Sequence, residues 1–414
     1  MIDWLRNVPD SRNCKKIRHE LAEVFFCLII GLLTGHDKLR RIFQWCNSNI
    51  DELRKYLPFS NGIPSVPTMS RVLSSVDEGL VACAMMNWMG SICNPQGTHV
   101  AIDGKGLRSS ASKVRSEKTA YALNAIDVAT KLVIGHLAIP EKKGEGTSIP
   151  ELLDMLNISG CIVSVDAIGT TEGIMNAIKS KECDYFLQVK RNCPALYDDI
   201  EDMFERLGQE KEEDEKNFEK NYGKVYSEEE KYEKNRDRYE YRWFQAYEGD
   251  GVETIWDGHD KIASVGWARQ ARIAKVIDGE GNDATPSLVD FLKNGSSRQP
   301  KPDGDTDNGD SVTKYGLISS RKLKANEMMY YKRQHWAIEN SLHYVLDETF
   351  GEDRCTVRSG KMVMSVLRKC AYNIARLLQK EDTKKQVHIP DIIDKIRDDI
   401  KLAAIYIFKP KSFF

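Results

Sequence analysis

Five short segments decide the fold of this chain, and each is rich in the apolar and β-branched residues typical of strands. They are HVAID (99–103), YALNAIDV (121–128), KLVIGHLAI (131–139), CIVSVDA (161–167) and DYFLQVK (184–190). Turn-forming segments join the first three, which predicts three consecutive strands. The last two are separated by a helical pattern, which predicts β–α units.

Helical periodicity appears around the last two strands. Apolar residues recur at helical spacing in IPELLDMLN (149–157), TEGIMNAIKS (171–180) and CPALYDDIEDMFERL (193–207). The element order is therefore βββαβαβα. An antiparallel meander followed by β–α units that add parallel strands is typical of a ribonuclease-H-like α/β domain. We predict that fold for residues 96–204 and 313–375.

The rest of the chain divides by composition. Residues 1–95 carry apolar residues at helical spacing and predict a helical N-terminal domain. Residues 205–312 contain two strand-like segments, RYEYRWFQAYE (238–248) and KIASVGWARQARIAKVI (261–277), and a long polar stretch. This pattern predicts a mainly β insertion with a flexible loop. Residues 376–414 predict a helical C-terminal tail.

Composition and apolar patterning indicate a folded protein of more than one domain. The chain has 414 residues, of which 41% are hydrophobic and 29% charged. Its most apolar stretch, residues 21–34, is shorter than the roughly 20 residues that cross a bilayer, and predicts a buried helix. No secretory signal pattern opens the chain, so we expect it in the cytoplasm. Ten cysteines without a Cys-x-x-Cys pair predict reduced core residues.

The formal net charge of −2 hides an uneven distribution. Acidic side chains outnumber basic ones in residues 201–240, whereas basic side chains predominate in residues 103–118 and 354–369. Nucleic-acid binding requires such concentrated basic groups because phosphate contacts come from Lys and Arg. Solvated helices also carry basic clusters, so charge alone does not select between the two readings.

Two aspartates follow predicted strands and are the first candidates for chemistry. Asp103 precedes Gly104 at the end of the first strand, and Asp166 follows the fourth. If the first and fourth strands are neighbours, both carboxylates converge at one edge of the sheet. Oxygen ligands on an open edge suit Mg²⁺ better than a closed zinc site. A helix cap or surface carboxylate is the alternative for either residue alone.

A third candidate carboxylate lies on a long helix. The segment ANEMMYYKRQHWAIENSLHYVLDE (325–348) lacks Gly and Pro and predicts a helix of about six turns. His335, Glu339 and His343 are spaced four residues apart and therefore share one face. Glu339 completes a set of three carboxylates. Zinc is the alternative, but His-Glu-x-x-His is absent and no cysteine pair supports it.

Two further sequence patterns can be interpreted either as ligand-binding sites or as ordinary structural features. The residues around Pro67 could start a helix that presents Ser70 and Arg71 to a phosphate, although a plain capped helix is the favoured interpretation. Aspartates at 303, 305 and 307 imitate the start of a calcium loop. Asn308 and Lys314 occupy the positions that need Gly and Glu, which disfavours calcium.

Several of these words together resemble a known family. AIDGKGLRSS, IVSVDAIGTTEGI, DYFLQVKRN and HWAIENSLHYVLDETFGED are similar to signature blocks of DDE transposases from bacterial insertion sequences, in the group that includes the H-repeat-associated proteins. HELAEVFFCLIIGLLTG and the segment up to VLSSVD resemble the helical domain that precedes the catalytic domain there, which implies DNA binding by residues 1–95. The resemblance covers most of the chain. The word IDGK alone would carry little weight.

The resemblance implies an enzyme that cleaves DNA and transfers the strand, with Asp103, Asp166 and Glu339 as catalytic residues and ligands of Mg²⁺ or Mn²⁺. Trp336, Asn340 and His343 belong to the motif around the glutamate. It further implies binding to terminal inverted repeats and target DNA, at least a dimer on DNA, and association with the nucleoid. The candidate DNA contacts are Lys105, Arg108, Lys190, Arg238, Arg333 and His343.

The chain departs from the family pattern in three places. KRNC stands where Lys-Gly-Asn-Gln is expected, EKNRDRYEYR lacks the usual His-Gly, and residues 280–312 are long. These changes concern DNA contacts more than the carboxylates. Two alternatives therefore stay open: an inactive or domesticated DNA-binding derivative, and a metal-dependent nuclease without strand transfer.

Overall fold

The structure is a computed structural model. The residues it describes are 1–107, 119–140, 144–234, 238–252, 255–256, 261–275, 311–357, 359–382 and 387–408. The chain forms two compact units. Residues 1–161 and 336–414 make the first unit, and residues 162–335 make the second.

Helices begin the first unit. They are α1 (Ile2–Arg6), α2 (Leu21–Leu33), α3 (Leu39–Ser48), α4 (Ile50–Leu53), α5 (Val66–Ser75) and α6 (Glu78–Gly90). Every residue of α2 is buried, which confirms the buried helix predicted for residues 21–34. Glu20 and Glu23 form a capping box at its start, so the acidic residue near the apolar run fixes the helix end.

An antiparallel meander follows the helices, as the sequence predicts. Its elements are β1 (His99–Leu107), β2 (Ala120–Asp127) and β3 (Leu132–Ile139), and α7 (Glu145–Asp154) comes next. Asp103 of β1 lies opposite Asn124 of β2, and Asn124 lies opposite His136 of β3. Because paired residues share a face, these three polar side chains form one row across the meander.

The second unit contains six strands among its described residues. Its elements are β4 (Ile162–Val165), α8 (Glu172–Ser180), β5 (Asp184–Val189), α9 (Pro194–Glu213), α10 (Glu215–Tyr222), β6 (Tyr226–Lys234), β7 (Arg238–Tyr247), β8 (Ser264–Ala274), β9 (Ser311–Ser319) and α11 (Ala325–His335). The strand order is β4-β5-β9-β8-β7-β6. β4 and β5 are parallel, as predicted, and the other neighbours are antiparallel.

The core of the second unit lies between its sheet and α11. Phe186, Phe244 and Leu317 come from three strands and are almost fully buried. Met328 and Met329 of α11 belong to the same cluster. Burial of this apolar face holds α11 against the sheet and so fixes the polar residues that the helix carries.

The C-terminal residues complete the first unit. A π-helix (Ile338–His343) leads into α12 (Tyr344–Glu348), α13 (Lys361–Glu381), α14 (Ile389–Asp398) and α15 (Lys401–Phe408). Residues 363–377 of α13 are all buried, so this helix is central to the unit. In the described part of the chain, no helix is long and apolar enough to span a membrane.

The structure confirms the order βββαβαβα and the strands predicted within 238–248 and 261–277. The sequence pattern did not predict one further strand, β6, because its sequence, YSEEEKYEK, is highly charged. It is at the end of the strand order, and charged side chains on an edge strand prevent pairing with other chains. The polar loop and the calcium-like aspartates lie outside the described residues.

One local prediction is wrong and a second is refined. Asp103 does not end its strand, because Gly104 and Gly106 stay paired with β2 and β1 continues to Leu107. The helical segment predicted for 325–348 is confirmed, but it is not one uniform α-helix, since α11 ends at His335 and a π-helix follows. A π-helix bonds residue i to i+5, so spacing by four residues no longer guarantees a shared face.

Candidate active site

The candidate residues of the first unit lie where β1 packs against the π-helix and α12. Asp103 Oδ2 is 3.7 Å from His343 Nδ1. Two residues further along β1, Lys105 Nζ is 2.6 Å from Asp347 Oδ2. The Asp103 side chain retains 22% of its exposure, whereas Lys105 retains 8%. A carboxylate and an imidazole therefore face each other, with an ion pair beside them.

The two contacts form side by side because the spacing of the residues along the strand is similar to the spacing of their partners along the helix. Asp103 and Lys105 are two residues apart on one strand face, a rise of about 6.6 Å. His343 and Asp347 are four residues apart on the helix, a rise of about 6 Å. The same chain geometry thus fixes both pairs, and a shift of either element would break both.

His343 is neutral at physiological pH. Burial, together with the positive charge of the neighbouring Lys105, lowers the pKa of His343 to about 3. Its Nε2 is a buried atom without a hydrogen-bond partner. The imidazole therefore adds no positive charge beside Asp103, and it offers a nitrogen lone pair or a proton, according to its tautomer.

A buried charge network lies in the same unit. Lys369 Nζ donates to Ser365 Oγ at 2.6 Å, and Ser365 Oγ donates to Glu352 Oε1 at 2.7 Å. Glu352 and Lys369 each retain 1% of their side-chain exposure. Both charges contribute to the electrostatic environment of His343. The network therefore fixes charge near the imidazole without contact with solvent.

Glu339 lies on the π-helix and is exposed. It precedes His343 by four residues on the element that faces β1. Trp336 and Asn340, the other motif residues, are also exposed. The same unit thus holds two of the three candidate carboxylates, Asp103 on the strand and Glu339 on the π-helix.

The position of Gly104 leaves no room for a side chain. A Cβ atom at this position would collide with the carboxylate of Glu145 in α7. Glu145 is buried, with 7% of its surface exposed. The glycine beside Asp103 therefore makes room for an additional carboxylate against β1.

The second unit holds Asp166 at the carboxyl end of β4, as predicted. Its carboxylate lies 3.7 Å from the ammonium of Lys190, which follows β5. The two strands are parallel, so both residues leave the sheet at the same edge. Burial acts to raise the pKa of Asp166, but the charge of Lys190 and the amide of Ala167 outweigh it and lower the pKa. Asp166 is therefore ionised at neutral pH.

Hydrogen bonds within the second unit hold the chain segments around Asp166 in place. Asn192 Nδ2 donates to the Ala167 carbonyl at 2.8 Å, which ties the loop after β5 to the turn after β4. His335 Nδ1 lies 2.8 Å from Ser164 Oγ, and this histidine is buried. His335 thus contacts a strand of the second unit, to which it belongs, whereas His343 and its partner Asp103 both belong to the first unit.

The remaining cationic candidates have carboxylate partners. Arg238 Nε is 2.8 Å from Glu240, and Arg333 is 2.7 Å from Glu233. Arg242 pairs with both glutamates and links them into one charged cluster on β6 and β7. These contacts compete with phosphate for the guanidinium groups. The candidate Arg108 lies outside the described residues.

Metal ligation depends on the donor atoms at these positions. The described residues include no set of three His, Cys, Asp or Glu side chains grouped to hold a metal ion. The candidates Asp103, Asp166 and Glu339 nevertheless offer carboxylate oxygens with partial exposure. Oxygen donors are those that Mg²⁺ and Mn²⁺ prefer, and Mg²⁺ often takes only one or two carboxylates together with water and phosphate oxygens.

Sequence reasoning missed four charged residues of the first unit. They are Glu145, Asp347, Glu352 and Lys369. One signal was available, since the two-residue spacing of Asp103 and Lys105 on a strand matches the four-residue spacing of His343 and Asp347 on a helix. The other three occupy buried positions that no periodicity distinguishes from apolar core.

Two known protein families match this chain. The family described as "Transposase DDE domain" matches residues 94–374. The family described as "DDE_Tnp_1-associated" matches residues 2–89. Together the two matches cover residues 2–89 and 94–374, which include Asp103, Asp166 and Glu339.

Individual relatives have similar descriptions. "Putative transposase YncI" of Escherichia coli O157:H7 is 29% identical over 91% of this chain and 87% of its own length. "H repeat-associated putative transposase YhhI" of E. coli K12 is 28% identical over 90% of this chain and 89% of its own length. A solved piggyBac transposase synaptic complex with hairpin DNA is similar with a TM-score of 0.37 and 11% identity, over 99% of this chain and 78% of that chain.

Proposed function

This chain belongs to the transposase DDE domain family, within the bacterial group that includes H-repeat-associated transposases, and from that premise we propose that it cleaves DNA and transfers the freed strand. The proposed catalytic residues are Asp103, Asp166 and Glu339. The proposed scaffold is a ribonuclease-H-like catalytic domain at residues 96–204 and 313–375. Residues 205–312 form a mainly β insertion in this proposal, between a helical domain at 1–95 and a helical tail.

One observation carries the proposal within the first unit. Asp103 faces an imidazole that burial keeps neutral, while the adjacent Lys105 is paired with Asp347. The imidazole therefore adds no positive charge beside Asp103, and a carboxylate in that setting suits cation binding. Glu339 lies on the π-helix of the same unit, four residues before His343.

The proposed cofactor is Mg²⁺ or Mn²⁺, with Asp103, Asp166 and Glu339 as its protein ligands. A bound divalent ion would supply Lewis-acid chemistry, namely a more acidic attacking water and charge stabilisation at the phosphate. The lowered pKa of Asp166 supports this role, because an ionised carboxylate needs no proton loss before it binds a cation.

The chain's own residues hold the substrate in this mechanism. The ammonium of Lys190 is beside Asp166, where it can bind a phosphate oxygen as a point charge. His343 orients a water or phosphate oxygen next to Asp103 through its neutral ring. Water attack nicks the strand, and the freed 3′-hydroxyl then attacks the target phosphate in line. No covalent bond to the protein forms in either step.

The proposed partners are the terminal inverted repeats of an element and a target DNA, bound by a homodimer or larger assembly. Lys105, Arg108, Arg238 and Arg333 stay candidate DNA contacts. For Lys105, Arg238 and Arg333, DNA must compete with the carboxylates that pair with them here.

A strand-transfer assay tests the proposal. Purified protein is incubated with DNA that carries the ends of its own element and a supercoiled target plasmid, with Mg²⁺ or with chelator. Nicked ends and joined products that appear only with Mg²⁺ are expected. Nicks without joined products would favour a nuclease. Bound but uncut ends would favour a DNA-binding derivative. An inactive relative has a precedent, since "Inactive transposase YbfQ" of E. coli K12 is 28% identical to this chain over 74 residues.

A further inference from the structure

A cleft in the N-terminal helices of the first unit is distinct from the candidate active site. We infer that this cleft binds the phosphate backbone of duplex DNA and anchors the protein on it. The inference rests on the proposed function, since it supplies a DNA-holding site for the same reaction. We name it the α5 cleft, because the segment of residues 12–19 and helix α5 form its walls.

Charge distinguishes the α5 cleft. It has a volume of about 920 Å³. Its lining includes Arg12, Lys16, Arg18 and Arg71, and among the described residues no aspartate or glutamate lines it. Basic side chains therefore concentrate in a chain whose formal net charge is −2. Concentrated Lys and Arg on one concave surface are the electrostatic pattern of phosphate binding.

Most of this positive charge is not neutralised by the protein. Arg12 makes a two-pronged ion pair with Asp10. Among the described residues, by contrast, no carboxylate forms an ion pair with Lys16, Arg18 or Arg71. All three are exposed. Three cations thus face the cleft and its surroundings without an internal counter-charge.

Hydrogen bonds fix the walls of the cleft. Ser11 Oγ donates to the Ser75 carbonyl at 2.6 Å, and Asn61 Nδ2 donates to the Arg18 carbonyl at 2.6 Å. The buried Glu23 accepts from the Phe59 amide at 2.8 Å. The basic segment is thereby held at both ends to the chain that leads into and out of α5. A preorganised cleft loses less entropy when it binds a ligand.

The N-terminus of α5 adds donors suited to phosphate. Ser65 stands at the N-cap, but its side chain makes no cap hydrogen bond. Its hydroxyl instead lies 3.0 Å from the Thr68 hydroxyl, and Arg71 donates to Thr68 at 3.3 Å. Ser65, Thr68 and Arg71 all line the cleft. Ser65 thus occupies the N-cap position without a side-chain cap hydrogen bond.

Duplex DNA fits these features better than a small anion. Lys16, Arg18 and Arg71 come from two separate chain segments, and a row of phosphates satisfies several spaced cations together. His19 lines the cleft as well, and burial lowers its pKa, so it adds a hydrogen-bonding group rather than charge. Contacts of this kind position DNA without reading its sequence.

The test compares two charge-matched triple variants of the full chain. The cleft variant is Lys16→Gln, Arg18→Gln and Arg71→Gln. The control variant is Arg6→Gln, Arg54→Gln and Lys55→Gln, three exposed cations of the same unit that already pair with Asp3, Asp51 and Glu52. Binding to a fluorescent 30-base-pair duplex is measured by anisotropy across a KCl series, and circular dichroism checks that each variant is folded.

Three lost phosphate contacts at a slope of about 0.9 each should reduce the slope of log K against log [KCl] by about 2.7 in the cleft variant. We expect the control variant to keep the parental slope. Equal slopes in the cleft variant and the parent would overturn the inference, as would an equal reduction in both variants. If the cleft variant alone binds weakly while the parent never cuts DNA in Mg²⁺, the α5 cleft stands and the proposed catalysis fails.

Discussion

Substitution of Glu352 by Gln tests the buried network beside His343. Glu352 and Lys369 are each 1% exposed, and their charged atoms are 3.9 Å apart. At an effective dielectric constant of about 20, two unit charges at that distance attract by about 4 kcal/mol. Loss of one partner also leaves a buried charge uncompensated, and such changes cost about 3–5 kcal/mol. Glu352→Gln should therefore destabilise the first unit by roughly that amount.

Calorimetry measures the effect on the parent, Glu352→Gln, Lys369→Met and the double variant. A loss of about 4 kcal/mol corresponds to a drop of about 8–16 °C in the melting temperature of a unit of this size. The double variant should lose less than either single variant, because no unpaired charge is left. A drop below about 3 °C in Glu352→Gln, or additive losses in the double variant, would refute the reasoning.

Two further substitutions probe the candidate active site in its separate units. Gly104→Ala should destabilise the protein by about 1–3 kcal/mol, because its Cβ meets Glu145; Glu145→Ala in the same chain should restore most of the loss in urea unfolding. Lys190→Gln should raise the pKa of Asp166 in the metal-free protein, since an adjacent ammonium favours the charged carboxylate. Carbon NMR titration reads that pKa, and an unchanged value would show that Lys190 does not control it.

The sequence predicted those parts of the fold in which periodicity and chain order agree. In β1 to β5 and in the helices between them, the apolar residues follow the pattern typical of a strand or of a helix. The predicted order of these elements is the order in the structure. β6 escaped prediction because an edge strand needs no apolar alternation, and its charged residues resemble a solvated helix.

Local hydrogen bonding set a second limit. Glycine after Asp103 suggested a strand end, but β2 pairs with the glycines and extends the strand. The π-helix at 338–343 likewise has no pattern in the sequence, since its extra residue per turn depends on packing. The pairing of Lys105 with Asp347, 242 residues apart in sequence, needed the tertiary structure.

The candidate carboxylates were identifiable because their flanking words resemble those of a family. The same words said little about the α5 cleft, where basic residues of two segments meet only after folding. Binding surfaces assembled from distant segments are therefore the part of this molecule that sequence reasoning reached least.

The most direct test of the central claim is DNA cleavage by three single variants, Asp103→Asn, Asp166→Asn and Glu339→Gln. Matched controls are Asp51→Asn and Glu205→Gln, which remove exposed carboxylates from the first and second units. Each protein receives the element-end DNA with Mg²⁺, and its DNA affinity is measured in parallel. We predict that all three variants bind DNA like the parent and lose cleavage by at least a thousandfold, on the order of 4 kcal/mol of transition-state stabilisation, while both controls cleave normally. Parental cleavage by any one of the three would contradict the assignment of that residue to catalysis.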